Sequence, residues 1–268
     1  MITMSHPLRH ASRASLPAVV PSSSLAGRLS ALIEGAQQSD YLFGSSLGPF
    51  YDEQARQHYV PHFVYFGAQS SLASLRLALL SGLGRHDLPA SRALVSFIES
   101  LVRRPDLGEG LNLSFFPVVN VAGLLGGAEE RDLSEQDWAA SDAPELKLLN
   151  KDIHLRGYEG FLRVVSSPDE APSATVRTTR AADIARSDVE LFNSDDFGGW
   201  PVRFESPVAG VIQTGPLSLA ADLPFAPFEV ELALPGHWSQ PQADRALAAI
   251  LKRLIVHYRG VRAYGQHL

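Results

Sequence analysis

The chain has 268 residues, 45% hydrophobic and 19% charged, with a formal net charge of −6 and no cysteine. That size and balance predict a globule with a sizeable core, and the acidity argues against a nucleic-acid or anionic-membrane partner. The absence of cysteine excludes disulfide scaffolds, thiolate zinc sites and cysteine nucleophiles, and fits a cytoplasmic location.

In chain order, residues 1–24 read as a flexible leader. The apolar patch Leu16–Val20 contains Pro17 and runs into Pro21 and three serines, too short and too broken for a secretion signal. No stretch approaches the length of a membrane span. A single domain is expected over 25–268, opening with a short amphipathic helix from Leu25 to Ile33. Tyr41–Tyr51, interrupted by Gly44, Gly48 and Pro49, reads as loop or short strand. A strand from Tyr59 to Phe66 then leads through a turn at Gly67 to a predicted helix from Ser71 to Leu83, whose Leu72, Leu75, Leu79 and Leu83 fall on one face. A second helix starts at Pro89, buries Leu94, Val95, Ile98, Leu101 and Val102, and stops at Pro105.

Leu111–Val119 has the β-branched and aromatic content of a buried strand, and Asn120–Trp138 reads as a long loop. Ala143–Ile153 is expected to be helical and Gly160–Ser167 a strand. Thr175–Pro224 is broken by proline and glycine into short strands and loops. Phe228–Pro235 is a strand, and Gln242–Tyr258 closes the chain as a helix with Leu247, Ile250, Leu251, Leu254, Ile255 and Tyr258 at helical spacing. Strands interleaved with helices predict an α/β domain, a three-layer α/β/α sandwich around a largely buried sheet.

Three segments, in order, carry a resemblance. The first is the strand and turn at Gly67. The second is Pro117-Val118-Val119-Asn120-Val121-Ala122-Gly123, followed by Arg131, Asp132-Leu133 and Pro144-Glu145. The third is Phe228-Glu229-Val230-Glu231-Leu232 before the closing helix. Together they resemble the zinc carboxypeptidases and the related succinylglutamate desuccinylases and aspartoacylases, across Val60–Tyr258. The family's corresponding elements are Gly-x-His-x-x-Glu, whose His and Glu bind zinc, then Pro-x-x-Asn-Pro-x-Gly with Arg, Asp-Leu-Asn-Arg and Pro-Glu, then a catalytic glutamate. The resemblance implies a mixed, mostly parallel eight-stranded sheet.

Carried over residue by residue, the resemblance describes a dismantled site. It puts Gln69 at the first zinc ligand, Leu72 at the second and Val165 or Ser166 at the third, a set that cannot hold zinc. No cofactor is therefore expected, and zinc only if the family's activity is retained. Glu231 takes the general-base position, without a metal-activated water to work on. Asp132-Leu133-Ser134-Glu135 departs from Asp-Leu-Asn-Arg, so the arginine that grips a substrate carboxylate is missing there.

Arg131 remains as a carboxylate binder, or as an ordinary solvated loop residue. Gln69 either meets a ligand at the pocket floor or, with Ser70 and Ser71, caps the following helix. Glu231 is a relic of the base or a polar residue at a strand end, and Glu229 shares its face, which reads as an exposed edge or a cleft wall. Replacement metal sites at His58 and His62, at His154 with Asp152 and Glu159, or at His237 beside Trp238 are each weaker than a surface-histidine reading. No nucleophile elbow of the Gly-x-Ser-x-Gly kind, phosphate loop or dinucleotide fingerprint is read. The expectation is an inactive carboxypeptidase-like domain binding a peptide C-terminus or an acyl amino acid. The alternative is a working metallocarboxypeptidase or N-acyl amino acid deacylase with relocated ligands.

Overall fold

The structure is a computed structural model that describes residues 24–71, 74–127, 131–167, 173–178, 200–205, 215 and 228–265. The leader expected over 1–24 lies outside them except for Ser24, as do Leu72 and most of 175–224. Ser24 caps the first helix, α1 (Leu25–Ala36), its hydroxyl accepting from the Gly27 amide at 3.1 Å. Leu25, Leu29, Leu32 and Ala36 form its buried stripe.

Tyr41–Tyr51 resolves as a full strand, β1 (Leu42–Tyr51), antiparallel to β2 (Gln57–Phe66), with an irregularity between Leu47 and Phe50. The next element corrects an expectation: the segment predicted as a helix over Ser71–Leu83 is strand β3 (Leu75–Ser81). Leu75, Leu77, Ala78, Leu79 and Leu80 are all buried, so both faces of β3 are covered and no alternation survives in its sequence.

Helix α2 (Leu88–Arg103) follows, starting close to where it was predicted, with Pro89 in its first turn. Next come β4 (Leu111–Phe116) and a one-turn helix α3 (Val121–Leu124), the latter inside the stretch expected to be loop. Helix α4 (Pro144–Arg156) ends on Gly157 in the left-handed region, and β5 (Gly160–Ser167) follows. Strands β6 (Ala174–Thr178), β7 (Val202–Glu205) and β8 (Phe228–Pro235) and helix α5 (Gln240–Gly265) complete the described elements.

The strands form one eight-stranded sheet in the order β1-β2-β4-β3-β5-β8-β6-β7. Its centre, β4-β3-β5-β8, is parallel, and antiparallel pairings join it to β2 on one side and β6 on the other. One face packs on α1, α2 and α5, where Phe97 meets Phe115 at 6.2 Å between ring centroids. The opposite face carries α4, and there Tyr158, just beyond it, packs edge-on against Phe161 of β5. Three layers result, as the sequence predicts. Among the described residues no helix is long and apolar enough to cross a membrane.

Candidate functional site

In an open α/β sheet, ligands bind beyond the carboxyl ends of the strands, where consecutive connections leave in opposite directions. Here that point lies between β3 and β5, because the chain leaves β3 for β4 on one side and returns from β4 to β5 on the other. The turn out of β3 opens on Gly82, at φ +67°, where a Cβ would sit 2.7 Å from Ser91 Oγ and 3.0 Å from Val118 Cα. Only glycine makes that exit. The chain then runs Leu83-Gly84-Arg85-His86-Asp87 into α2.

Asp87 is 4% exposed, and both of its carboxylate oxygens are engaged. The Gly84 amide donates to Oδ2 at 2.8 Å, and the Ser166 amide, from the end of β5, donates to Oδ1 at 2.9 Å. One side chain thus ties the turn after β3 to β5. Burial pushes its carboxyl above the usual range, the two amides oppose that, and the nearby Asp132 charge adds to it. Asn120, fully buried at the N-terminus of α3, fastens the other side. Its Nδ2 donates to the carbonyls of Leu83 (3.3 Å) and Arg131 (2.8 Å), and its Oδ1 accepts from the Gly123 amide (3.1 Å).

The strand–turn–helix junction that the resemblance calls for lies not at Gly67 but at Gly82, where the same spacing reads Gly82-x-Gly84-x-x-Asp87. Gln69 is exposed at φ +60° in a turn beyond β2, and no helix follows for it to cap. Since Phe66 is level with Asn112 and Leu75 with Leu111, Gln69 lies at the opposite edge of the sheet, a strand length or about 20 Å away. Gly67 is required for another reason: a Cβ there would be 1.7 Å from the Gly108 carbonyl oxygen.

Val165 and Ser166 do reach the site. Val165, level with Ala233 of β8, puts an apolar side chain where the resemblance implies the third ligand, while Ser166 contributes its amide to Asp87. Gly84 has no donor, Asp87 is committed to two amides and Val165 is apolar, so these residues do not fit zinc. Among the described residues no group of three or more His, Asp or Glu side chains is placed to hold a metal ion. His58 bonds Asp52 at 2.9 Å, and His62 is buried, stacked on Phe116 at 4.5 Å and bonded through Nδ1 to Ser45 Oγ at 3.0 Å. His154 bonds the Asn150 carbonyl. Asp152 accepts from Tyr158 and Arg156, and Glu159 accepts from the Arg76 amide. The side chains proposed at His58, His62 and His154 are thus each engaged with neighbouring protein groups.

Arg131 is paired with Glu145 Oε2 at 2.5 Å; Glu145 is fully buried and its carboxyl is pushed up by burial. Glu231 is central rather than at an edge, and Glu229 is 1% exposed. Arg163 of β5, level with Glu231, is bonded to it through Nη2 and lies 3.0 Å from Glu229 Oε1 through Nε. Arg177 of β6 takes the other oxygen of Glu231 at 3.1 Å. The charge of Glu135 also acts on Arg163. Sequence reasoning missed Asp87 because the junction was placed one strand early, and Arg163 because its partners lie far along the chain. It also passed over Gly44-Ser45-Ser46-Leu47-Gly48, which spells Gly-x-Ser-x-Gly but lies inside β1, without the turn that would make it an elbow.

Neither a protein-family model nor a curated relative matches the chain by sequence. Solved structures do match. A metallo-carboxypeptidase from Burkholderia cenocepacia superposes with a TM-score of 0.66 at 13% identity, over 88% of this chain and 69% of that one. A metallo-carboxypeptidase from Pseudomonas aeruginosa in complex with (2-guanidinoethylmercapto)succinic acid gives 0.58 at 18% identity, over 86% and 68%. Bovine thrombin-activatable fibrinolysis inhibitor in complex with tick carboxypeptidase inhibitor gives 0.62 at 11%, over 87% and 94%. A mixed sheet of this order, flanked by helices on both faces and matching those proteins over most of its length, gives this chain the metallo-carboxypeptidase fold.

Proposed function

We propose that this chain is a carboxypeptidase-like domain without hydrolytic activity, which binds a peptide end or an amino-acid derivative at the crevice between β3 and β5. The observation that carries the reading is the trio Gly84, Asp87 and Val165 at the ligand positions, with Asp87 serving as a tie between backbone amides. The state of Glu231 supports it further. A general base must turn its carboxylate toward the water it activates, whereas the carboxylate of Glu231 is oriented by guanidinium groups of Arg163 and Arg177, one on each oxygen.

The ligand class rests on the fold and on one relative, whose bound (2-guanidinoethylmercapto)succinic acid is a small guanidino diacid. Glu135 stands where the resemblance places the carboxylate-gripping arginine, which favours the amino side of such a ligand over its carboxylate side. The test has two halves. Purified protein should contain far less than one equivalent of zinc and release neither C-terminal residues nor acyl groups, with or without added zinc. Stoichiometric zinc, or hydrolysis that a chelator abolishes, would overturn the loss of activity and favour relocated ligands. A thermal-shift series of amino-acid derivatives and short peptides should find stabilising ligands; a flat series defeats the binding half.

A further inference from the structure

On the face of the sheet opposite α2 and α5, two carboxylates project from alternate positions of β8. Glu229 and Glu231 share that face, with about 7 Å between their Cα atoms. The side chain of Glu229 is 2% exposed and that of Glu231 15%, so water does little to separate their charges. Two carboxylates this close and this dry require a cation or a proton. Oxygen donors so placed are the kind that hold calcium, magnesium or manganese.

In this chain a side chain supplies the charge. Arg163, 7% exposed, threads its guanidinium between the two, reaching Glu229 through Nε and Glu231 through Nη2. Gly215, at φ +63°, closes over it: a Cβ there would come within 2.6 Å of Arg163 Nη1 and 3.5 Å of Glu229 Oε1. The bare backbone at Gly215 is what lets this residue come so close to the guanidinium. Gly215 also donates to the Gln136 carbonyl at 3.2 Å and pairs with Asp137, next in sequence after it.

We infer that Arg163 is the built-in counter-cation of a carboxylate-lined site, filling the place that a divalent ion would otherwise take between Glu229 and Glu231. Guanidinium cannot deprotonate at any pH the fold survives, cannot be chelated, and offers no open position to a substrate. The site is therefore permanently filled, and with Arg177 on the other oxygen of Glu231 its two negative charges are matched by two positive ones. This goes beyond the loss of zinc at Gly84, Asp87 and Val165, because it concerns a different set of donors and a different class of ion.

The experiment compares wild-type protein with Arg163→Met and Arg163→Lys by thermal unfolding in chelator and in millimolar CaCl2, MgCl2 or MnCl2, with calorimetric titration of the same salts. Wild type should give the same midpoint in every condition. Arg163→Met should unfold lower in chelator, recover with at least one of the salts, and bind it at least tenfold more tightly than wild type. Arg163→Lys, which keeps a positive charge, should stay insensitive. An Arg163→Met variant whose midpoint ignores all three ions would overturn the inference. If Arg163→Met does not fold, Arg163→Met/Glu229→Gln/Glu231→Gln decides. Folding restored by removing the carboxylates supports the counter-cation, and a triple variant that remains unfolded assigns Arg163 to packing alone.

Discussion

Replacing Asp87 with alanine removes both acceptors that join the turn after β3 to the end of β5, leaving the Gly84 and Ser166 amides without their partner. The residue is 4% exposed, so water reaches the gap poorly. At about 1–3 kcal/mol for each buried donor left unmade, the loss sums to about 2–6 kcal/mol. Part is returned, because the deletion also removes a carboxyl that the fold prefers protonated. A carboxyl with a raised folded pKa contributes its full stability below the unfolded value of about 3.9, and that contribution is lost as pH rises through the folded value. The deficit of Asp87→Ala should therefore be greatest below about pH 4 and shrink as pH rises. Asp87→Asn, which keeps one acceptor, should lose about half as much and draw level with wild type at the alkaline end. Urea unfolding of the three proteins at several pH values measures this directly. A deficit that widens with pH would mean that the two amides stabilise the anion more than burial opposes it, and would refute burial as the dominant influence on Asp87.

Two further outcomes follow from other buried groups. Burial lowers the His62 pKa from 6.5 to about 4, with the Asp152 charge opposing, so His62 stays neutral. Its stabilising share is complete above pH 6.5 and declines as pH falls toward 4, by about 3 kcal/mol. His62→Phe, which retains a ring against Phe116, should flatten this acid slope in pH-dependent urea unfolding, and an unchanged slope would defeat the assignment. Arg131→Met strands the fully buried Glu145 and should cost about 3–5 kcal/mol at pH 7, less at pH 4 where Glu145 takes up a proton. Adding Glu145→Gln should restore much of the loss, and a double variant no better than the single one would show that the charge is not the cause.

The alternation of strands and helices was legible wherever a segment advertised one period. Helix α2 showed an apolar stripe and an N-terminal proline, and β4, β5 and β8 showed β-branched and aromatic runs bounded by turn residues. β3 did not. A central parallel strand is covered on both faces, so its leucines need no alternation, and Leu75, Leu79 and Leu83 then match helical spacing by chance. That misreading displaced the first motif by fifteen residues and hid Asp87. Glu231 was visible in Phe228–Leu232 because its strand is short and bounded. Its meaning was not, since Arg163 lies 68 residues earlier and reaches it only through the β5–β8 pairing. Arg131 was found, but a loop arginine carries no sign of whether it faces a ligand or, as here, the buried end of α4.

The buried amide of Asn120 fastens three separate segments, the exit from β3, the approach to Leu133 and the first turn of α3, before any ligand arrives. Under the binding proposed for this crevice, an incoming molecule would meet walls that Asn120 already spaces, so little ordering of those three segments would remain to be done on contact. Encounter should then follow simple one-step kinetics governed by diffusion and orientation, with selectivity exerted by fit at the mouth rather than by closure around the guest.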